Sequence, residues 1–98
     1  MHNNWVFYED GSHGWLRVPK QELIESGVID CISPCSYVKD GYIYLEEDCD
    51  LATFVDAVGY DCYSFREAFK EIKKEEYDYD KNPIYTYERF DPETFDRY

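Results

Sequence analysis

The chain has 98 residues, and its 22 acidic against 10 basic side chains give a formal net charge of −12. This length supports one domain with a modest core. An aromatic fraction of 19% is too high for a disordered acidic tail. Charge of this sign argues against direct binding to nucleic acid or to an anionic membrane. No apolar run approaches the roughly 20 residues of a membrane span, and the first residues lack a secretion signal, so a cytoplasmic location is expected.

The first third of the chain predicts two strands and a short helix. Residues 5–8 are β-prone and end in turn residues, and residues 15–18 predict the return strand. Pro19 suits the first turn of a helix, and Gly27 suits its end.

A hairpin and two helices are predicted next. Asp40-Gly41 between two apolar runs is typical of a hairpin turn, with Tyr42 and Tyr44 on one face of the second strand. Apolar residues at helical spacing predict a helix over 51–58 with Asp50 as N-cap, and a second over 65–76 that begins after Ser64. Residues 77–83 predict a loop and residues 84–87 a final strand.

Together these elements predict an α+β fold with a single domain over residues 1–98. A small antiparallel sheet would pack against one or two helices, with 60–83 as a helical insertion and 91–98 as a tail. The expected core is a set of large apolar side chains: Trp5, Phe7, Trp15, Leu16, Val18, Leu23, Ile43, Leu45, Phe54, Val55, Val58, Phe69 and Ile72.

Metal and cofactor chemistry find little support in the residue spacing. The four cysteines are Cys31, Cys35, Cys49 and Cys62, and without a secretory context they are expected to be buried free thiols. A structural zinc site usually shows two close ligand pairs, whereas here one pair is close and carries a proline. The acids at 46–50 lack the alternation and the central glycine of a calcium loop. No metal and no cofactor are therefore expected.

No catalytic motif stands out either, so the chain is not expected to be an enzyme. His13 and Cys35 could form a Cys–His dyad, which a structure would have to support. No serine or cysteine lies in the context of a nucleophile elbow, and the five glycines form no phosphate-binding loop.

Three segments carry a family resemblance: residues 10–18 (DGSHGWLRV), 32–37 (ISPCSY) and 44–50 (YLEEDCD). In this order they resemble a pattern in small uncharacterised proteins of phages and mobile elements. The resemblance implies a phage or mobile-element origin and no particular reaction.

The distribution of acids and tyrosines indicates a binding surface. No basic residue lies between Lys39 and Arg66, and tyrosines are interleaved with acids in the C-terminal region. Carboxylates can lie where phosphates would, and tyrosine adds contact area at a small entropic cost. The predicted partner-binding residues are Glu46, Glu47, Asp48 and Asp50, with Tyr77, Asp78, Tyr79 and Asp80 as a second patch.

The leading hypothesis is an acidic phage or mobile-element protein that binds and inhibits a basic, nucleic-acid-binding host defence protein by steric occlusion or nucleic-acid mimicry. The partner would be a nuclease or nucleoprotein complex in the host cytoplasm, and the chain would be an anti-CRISPR or anti-restriction protein. Homodimerisation is left open. One alternative is an accessory module of a mobile element whose acidity is incidental. A second alternative is a small metal-binding or thiol enzyme.

Overall fold

The computed structural model describes residues 4–95, which form a six-stranded sheet with three α-helices. The strands are β1 (Val6–Glu9), β2 (Gly14–Pro19), β3 (Tyr37–Lys39), β4 (Tyr42–Glu46), β5 (Lys73–Glu76) and β6 (Glu88–Arg89). The helices are α1 (Lys20–Ser26), α2 (Leu51–Ala57) and α3 (Cys62–Phe69). The order across the sheet is β5-β1-β2-β4-β3-β6, and all neighbours are antiparallel except β1 and β5. The predicted α+β class is confirmed, with three helices where one or two were expected.

One face of the sheet carries the main hydrophobic core. Strand residues alternate in direction, so Phe7, Leu16 and Leu45 project to the same side. Residues of all three helices pack there, led by Leu23 of α1 and Phe54 of α2, both fully buried. All but two of the predicted core residues are buried. Val58 is 36% exposed just after α2, and Phe69 is half-buried.

The opposite face is aromatic and is covered by the end of the chain. Trp15, Tyr37 and Tyr44 are buried there, and Ile84 packs on them from the C-terminal segment. Two short 3₁₀ turns, Tyr79–Lys81 and Pro83–Thr86, lay this segment over the sheet. The C-terminal segment, and not a layer of helices, therefore covers the second face of the sheet.

The hairpin prediction is confirmed. Strands β3 and β4 pair in an antiparallel register, and the turn places Asp40 at φ 51° and Gly41 at φ 85°. Both turn residues adopt the left-handed region that a tight hairpin turn requires, which Asp tolerates and Gly favours. Gly27 likewise ends α1 with φ 78°, as predicted.

Two predictions for the second half were wrong. The helix expected over 65–76 ends at Phe69, and Lys73–Glu76 instead pairs with β1 as a parallel edge strand. The strand expected over 84–87 is the 3₁₀ turn Pro83–Thr86, since Asn82 accepts the backbone N–H of Ile84 at 2.9 Å and Pro83 begins the turn. The local pattern of apolar residues does not reveal the interaction that decides either structure. For residues 73–76 it is pairing with β1, and for residues 83–86 it is capping by Asn82.

Smaller differences concern the ends of elements. Asp61, not Ser64, is the N-cap of α3; Ser64 lies three residues further and completes a capping box with it. Residues 91–95 of the predicted tail form a turn in which the rings of Phe90 and Phe95 lie 5.0 Å apart. Residues 96–98 lie outside the described part of the chain. Within residues 4–95, no helix has both the length and the apolar character needed to span a membrane.

Candidate functional site

The structure divides the predicted partner-binding residues into buried and exposed groups. Glu46 is 6% exposed and Asp50 is 2% exposed, so neither presents a free carboxylate to a partner. Tyr77 is half-buried on the aromatic face. The others are exposed: Glu47, Asp48, Asp78, Tyr79 and Asp80.

Asp50 fastens the loop before β3 to the start of α2. Its carboxylate accepts the Ser33 N–H at 3.0 Å, the Ser33 hydroxyl at 2.8 Å and the Ser36 hydroxyl at 2.5 Å. Asp50 is the N-cap residue of α2, as predicted, but its side chain makes no capping hydrogen bond to the helix. Its donors come from the loop because that loop, and not the first turn of the helix, lies against it.

Glu46 is held in place at both of its carboxylate oxygens. Oε1 accepts the backbone N–H groups of Asp48 at 2.6 Å and Cys49 at 3.1 Å, which shapes the turn after β4. Oε2 lies 3.2 Å from Nδ1 of His13. The side chain of His13 is 48% exposed, so this pair joins a buried acid to a residue at the surface.

A cleft of about 290 Å³ opens beside this pair. The register of β2 and β4 sets Trp15 directly opposite Glu46, and the β1–β2 turn brings His13 to the same edge. Asp48 and Tyr85 also line the cleft, as do the thiols described next. Trp15 is 1% exposed, and its indole Nε1 has no hydrogen-bond partner among the described residues.

Cys35 and Cys49 share the cleft and interact through their thiols. The hydrogen bond to Cys35 and, after it, burial raise the pKa of Cys49 to about 12, and the nearby carboxylates of Glu46 and Asp50 act in the same direction. All four cysteines are free, as predicted, but they are exposed, so the prediction of burial was wrong. Cys31, the sequence neighbour of Cys35, does not line the cleft.

Tyr85 connects the cleft to the second predicted patch. Its ring packs edge-on against Trp15, with 5.4 Å between the ring centroids, and lies 6.4 Å from the ring of His13. The ring of Tyr79 lies 5.6 Å from that of Tyr85. The side chains of Asp48, His13, Tyr85 and Tyr79 therefore follow one another across a single surface. We refer to this surface, together with Asp78 and Asp80 beside Tyr79, as the acidic–aromatic surface.

Asp10 fixes the position of Tyr85 through a hydrogen bond. Burial opposes ionisation of Asp10, but hydrogen bonds from Asn82 (2.9 Å), from the backbone of His13 and Ser12, and from Tyr85 outweigh it and lower its pKa to about 2. Burial, followed by the same Asp10 contact, raises the pKa of Tyr85 above its usual range, so the phenol keeps its proton. The β1–β2 turn and the C-terminal segment are thus joined by an ionised carboxylate.

The carboxylates at the end of β4 crowd one another. Burial, followed by the charges of Asp48, Glu46 and Glu9, raises the pKa of Glu47. The repulsion among these carboxylates, which adds to the effect of burial, would be relieved by a positively charged ligand or surface.

The sequence identified the acids and Tyr79 of this surface. It offered His13 as a candidate metal ligand or as the partner of Cys35, but it did not bring these residues together. Trp15 was expected in the core and is buried, whereas Tyr85 was expected on a strand and lies in a 3₁₀ turn. The signal that unites them is the pairing of β2 with β4, which brings Trp15 beside Glu46. That register follows from long-range pairing, which residue spacing does not reveal.

Comparisons of the chain with protein-family models, with curated proteins and with solved structures found no match. By its fold and composition the chain is a small acidic α+β domain whose sheet has an aromatic second face. The resemblance to phage and mobile-element proteins stays a prediction.

Proposed function

We propose that this chain is a phage or mobile-element protein that binds and inhibits a basic, nucleic-acid-binding protein of the host's defence. The inhibited protein would be a nuclease or nucleoprotein complex of the CRISPR or restriction type, in the host cytoplasm. The chain would act by occupying the nucleic-acid site, with carboxylates in the positions of phosphates.

The observation that carries the proposal is the continuity of the acidic–aromatic surface. Two acidic segments that are 30 residues apart in the sequence, around Asp48 and Asp78, are bridged by His13, Tyr85 and Tyr79. Tyr79 is 60% exposed and Tyr85 is 37% exposed, although large aromatic side chains gain free energy from burial. Exposed aromatics rimmed by charge are typical of protein-binding surfaces.

The charges of the surface indicate the nature of the partner. Asp48, Asp78 and Asp80 are exposed, and Lys81 approaches Asp78 only at 3.8 Å with both side chains 75% exposed. An ion pair this exposed is weak, so it leaves most of the negative potential in place. A basic cleft built for nucleic acid is complementary to such a surface and would bind it quickly at low salt.

The test is affinity purification from a bacterial lysate, followed by binding measurements with the purified partner. We expect the triple variant Asp48→Asn, Asp78→Asn, Asp80→Asn to weaken binding at least tenfold, and raised salt to weaken wild-type binding. Tyr79→Ala should weaken it further, since a central aromatic contributes more than a charge at the rim.

A matched control separates this surface from net charge alone. Glu25→Gln, Asp56→Asn and Glu67→Gln remove the same number of charges, one from each helix on the opposite side of the sheet. The control variant should keep near-wild-type affinity. Equal affinity of both triple variants and the wild type, or equal losses in both, would contradict the proposed surface.

A further inference from the structure

We propose that His13, Glu46 and Asp48 bind one divalent transition-metal ion, with zinc the best fit, at the mouth of the cleft. One ligand atom from each of these side chains lies within 4.8 Å of the other two. The proposal is independent of the partner-binding function, because it concerns the isolated chain.

The three atoms are nearly at the spacing that zinc requires. Ligands about 2.1 Å from a tetrahedral ion lie about 3.4 Å from one another. Nδ1 of His13 and Oε2 of Glu46 are already 3.2 Å apart. Asp48 is exposed and lies in the turn that Glu46 holds, and the three ligand atoms are within 4.8 Å of one another, so a shift of the Asp48 carboxylate by at most about 1.4 Å completes the triangle.

The protein already holds Glu46 in a position suited to binding a metal ion. Glu46 is buried, and its second oxygen is fixed by two backbone N–H groups, so the ligating oxygen costs little entropy to position. The crowding of Glu46, Glu47 and Asp48 would be relieved by a dication. Hydrogen-bonded carboxylate ligands of this kind are the usual arrangement in metal sites.

A separate observation indicates that the cleft takes a polar ligand. Trp15 lines the cleft, is 1% exposed, and has an indole N–H without an acceptor among residues 4–95. A buried donor without a partner costs free energy, so a water or a ligand atom that accepts this N–H would stabilise the protein. Three protein ligands leave a fourth position on zinc for a water molecule in the cleft that Trp15 lines.

The donor set selects the kind of ion. An imidazole nitrogen with two carboxylates suits zinc and similar first-row ions, whereas magnesium and calcium prefer oxygen ligands alone.

The experiment is titration of the reduced, full-length chain with zinc chloride by calorimetry, with cobalt(II) as a spectroscopic probe. We expect one ion per chain. His13→Ala and Asp48→Asn should each weaken binding at least tenfold and abolish the cobalt spectrum. Both side chains are exposed, so the folds of these variants should persist, which circular dichroism would check.

Two controls make the result specific. His2→Ala removes the other histidine of the sequence, and Glu47→Gln removes a neighbouring acid that does not line this cleft. Both should bind zinc within about threefold of wild type. Absence of saturable binding, binding insensitive to His13→Ala, or an equal loss in Glu47→Gln and Asp48→Asn would overturn the site.

Discussion

At the scale of single residues, the buried carboxylates stabilise the fold through hydrogen bonds that an acid at the surface does not make. Asp10, Glu46 and Asp50 each accept several hydrogen bonds, and each ties together segments that are distant in the sequence. They account for part of the acidity that the sequence displays. The acids available to a partner are therefore fewer than the composition suggests.

Asp10 makes stability depend on acid pH. Its pKa is about 2 in the folded chain against an ordinary value of 3.8, so its contribution is complete above pH 4 and is lost as the pH falls towards 2. The exposed loop around it screens part of the effect, which leaves about 1 kcal/mol. Asp10→Asn should lower the free energy of unfolding by that amount at pH 6 and by much less at pH 2.5.

Urea denaturation at the two pH values measures this difference. Asp80→Asn, which changes an exposed carboxylate of the same charge, serves as the control and should leave stability at both values nearly unchanged. A loss in Asp10→Asn that is the same at both pH values would show that shape, and not charge, explains the role of Asp10.

At the scale of elements, α3 is the least firmly packed helix. None of its residues is buried, and its first turn depends on the capping box between Asp61 and Ser64. Backbone amides there should open more easily than those of α2, which buries Leu51, Phe54 and Val55.

Removing the cap should therefore loosen α3 selectively. Asp61→Ala leaves the Ser64 N–H without its acceptor, and we expect amide exchange in α3 to become about fivefold faster while exchange in β2 and β4 stays unchanged. Native-state hydrogen exchange measures both regions at once. The control is Asp56→Ala, an exposed acid inside α2; acceleration of α3 to the same extent in that variant would refute the role of the cap.

The elements also show which structure a sequence can predict. The β3–β4 hairpin was predictable because Asp40-Gly41 determines it locally. Strand β5 was not, because Glu67, Lys70, Glu71 and Lys74 have the spacing of a charged helix, while pairing with β1 decides the outcome. Tertiary contacts override local propensity wherever the partner strand lies far away in the sequence.

The candidate site was predictable to the same extent. Its acids follow one another in the sequence at 46–48, so their density was visible. His13 and Tyr85 reach them through the β1–β2 turn and the C-terminal 3₁₀ turn. Neither turn produces a periodic pattern of residues in the sequence. The sequence therefore predicts the acids but not that His13 and Tyr85 lie beside them.

At the scale of the whole molecule, charge and compactness oppose each other. A net charge of −12 is confined within a radius of gyration of 12.7 Å, and the unfolded chain would spread it further. Repulsion between the acids therefore lowers the stability of the folded state, and salt should reduce this cost.

We expect the urea midpoint to rise when sodium chloride is increased from about 0.01 M, where the Debye length is about 30 Å, to about 0.1 M, where it is about 10 Å. The triple variant Glu25→Gln, Asp56→Asn, Glu67→Gln carries three fewer negative charges and should respond less. A midpoint that does not depend on salt in either protein would show that charge repulsion does not limit stability.

The parallel pairing of β1 with β5 has a consequence for how the chain is made. Residues 6–9 leave the ribosome more than 60 residues before residues 73–76, which complete their hydrogen bonding. Until then the outer edge of β1 presents unpaired N–H and C=O groups to any other strand nearby. The charged side chains of β5 protect the finished sheet from association, but a chain in which β5 is not yet made lacks this protection and is most prone to aggregate at the open edge of β1.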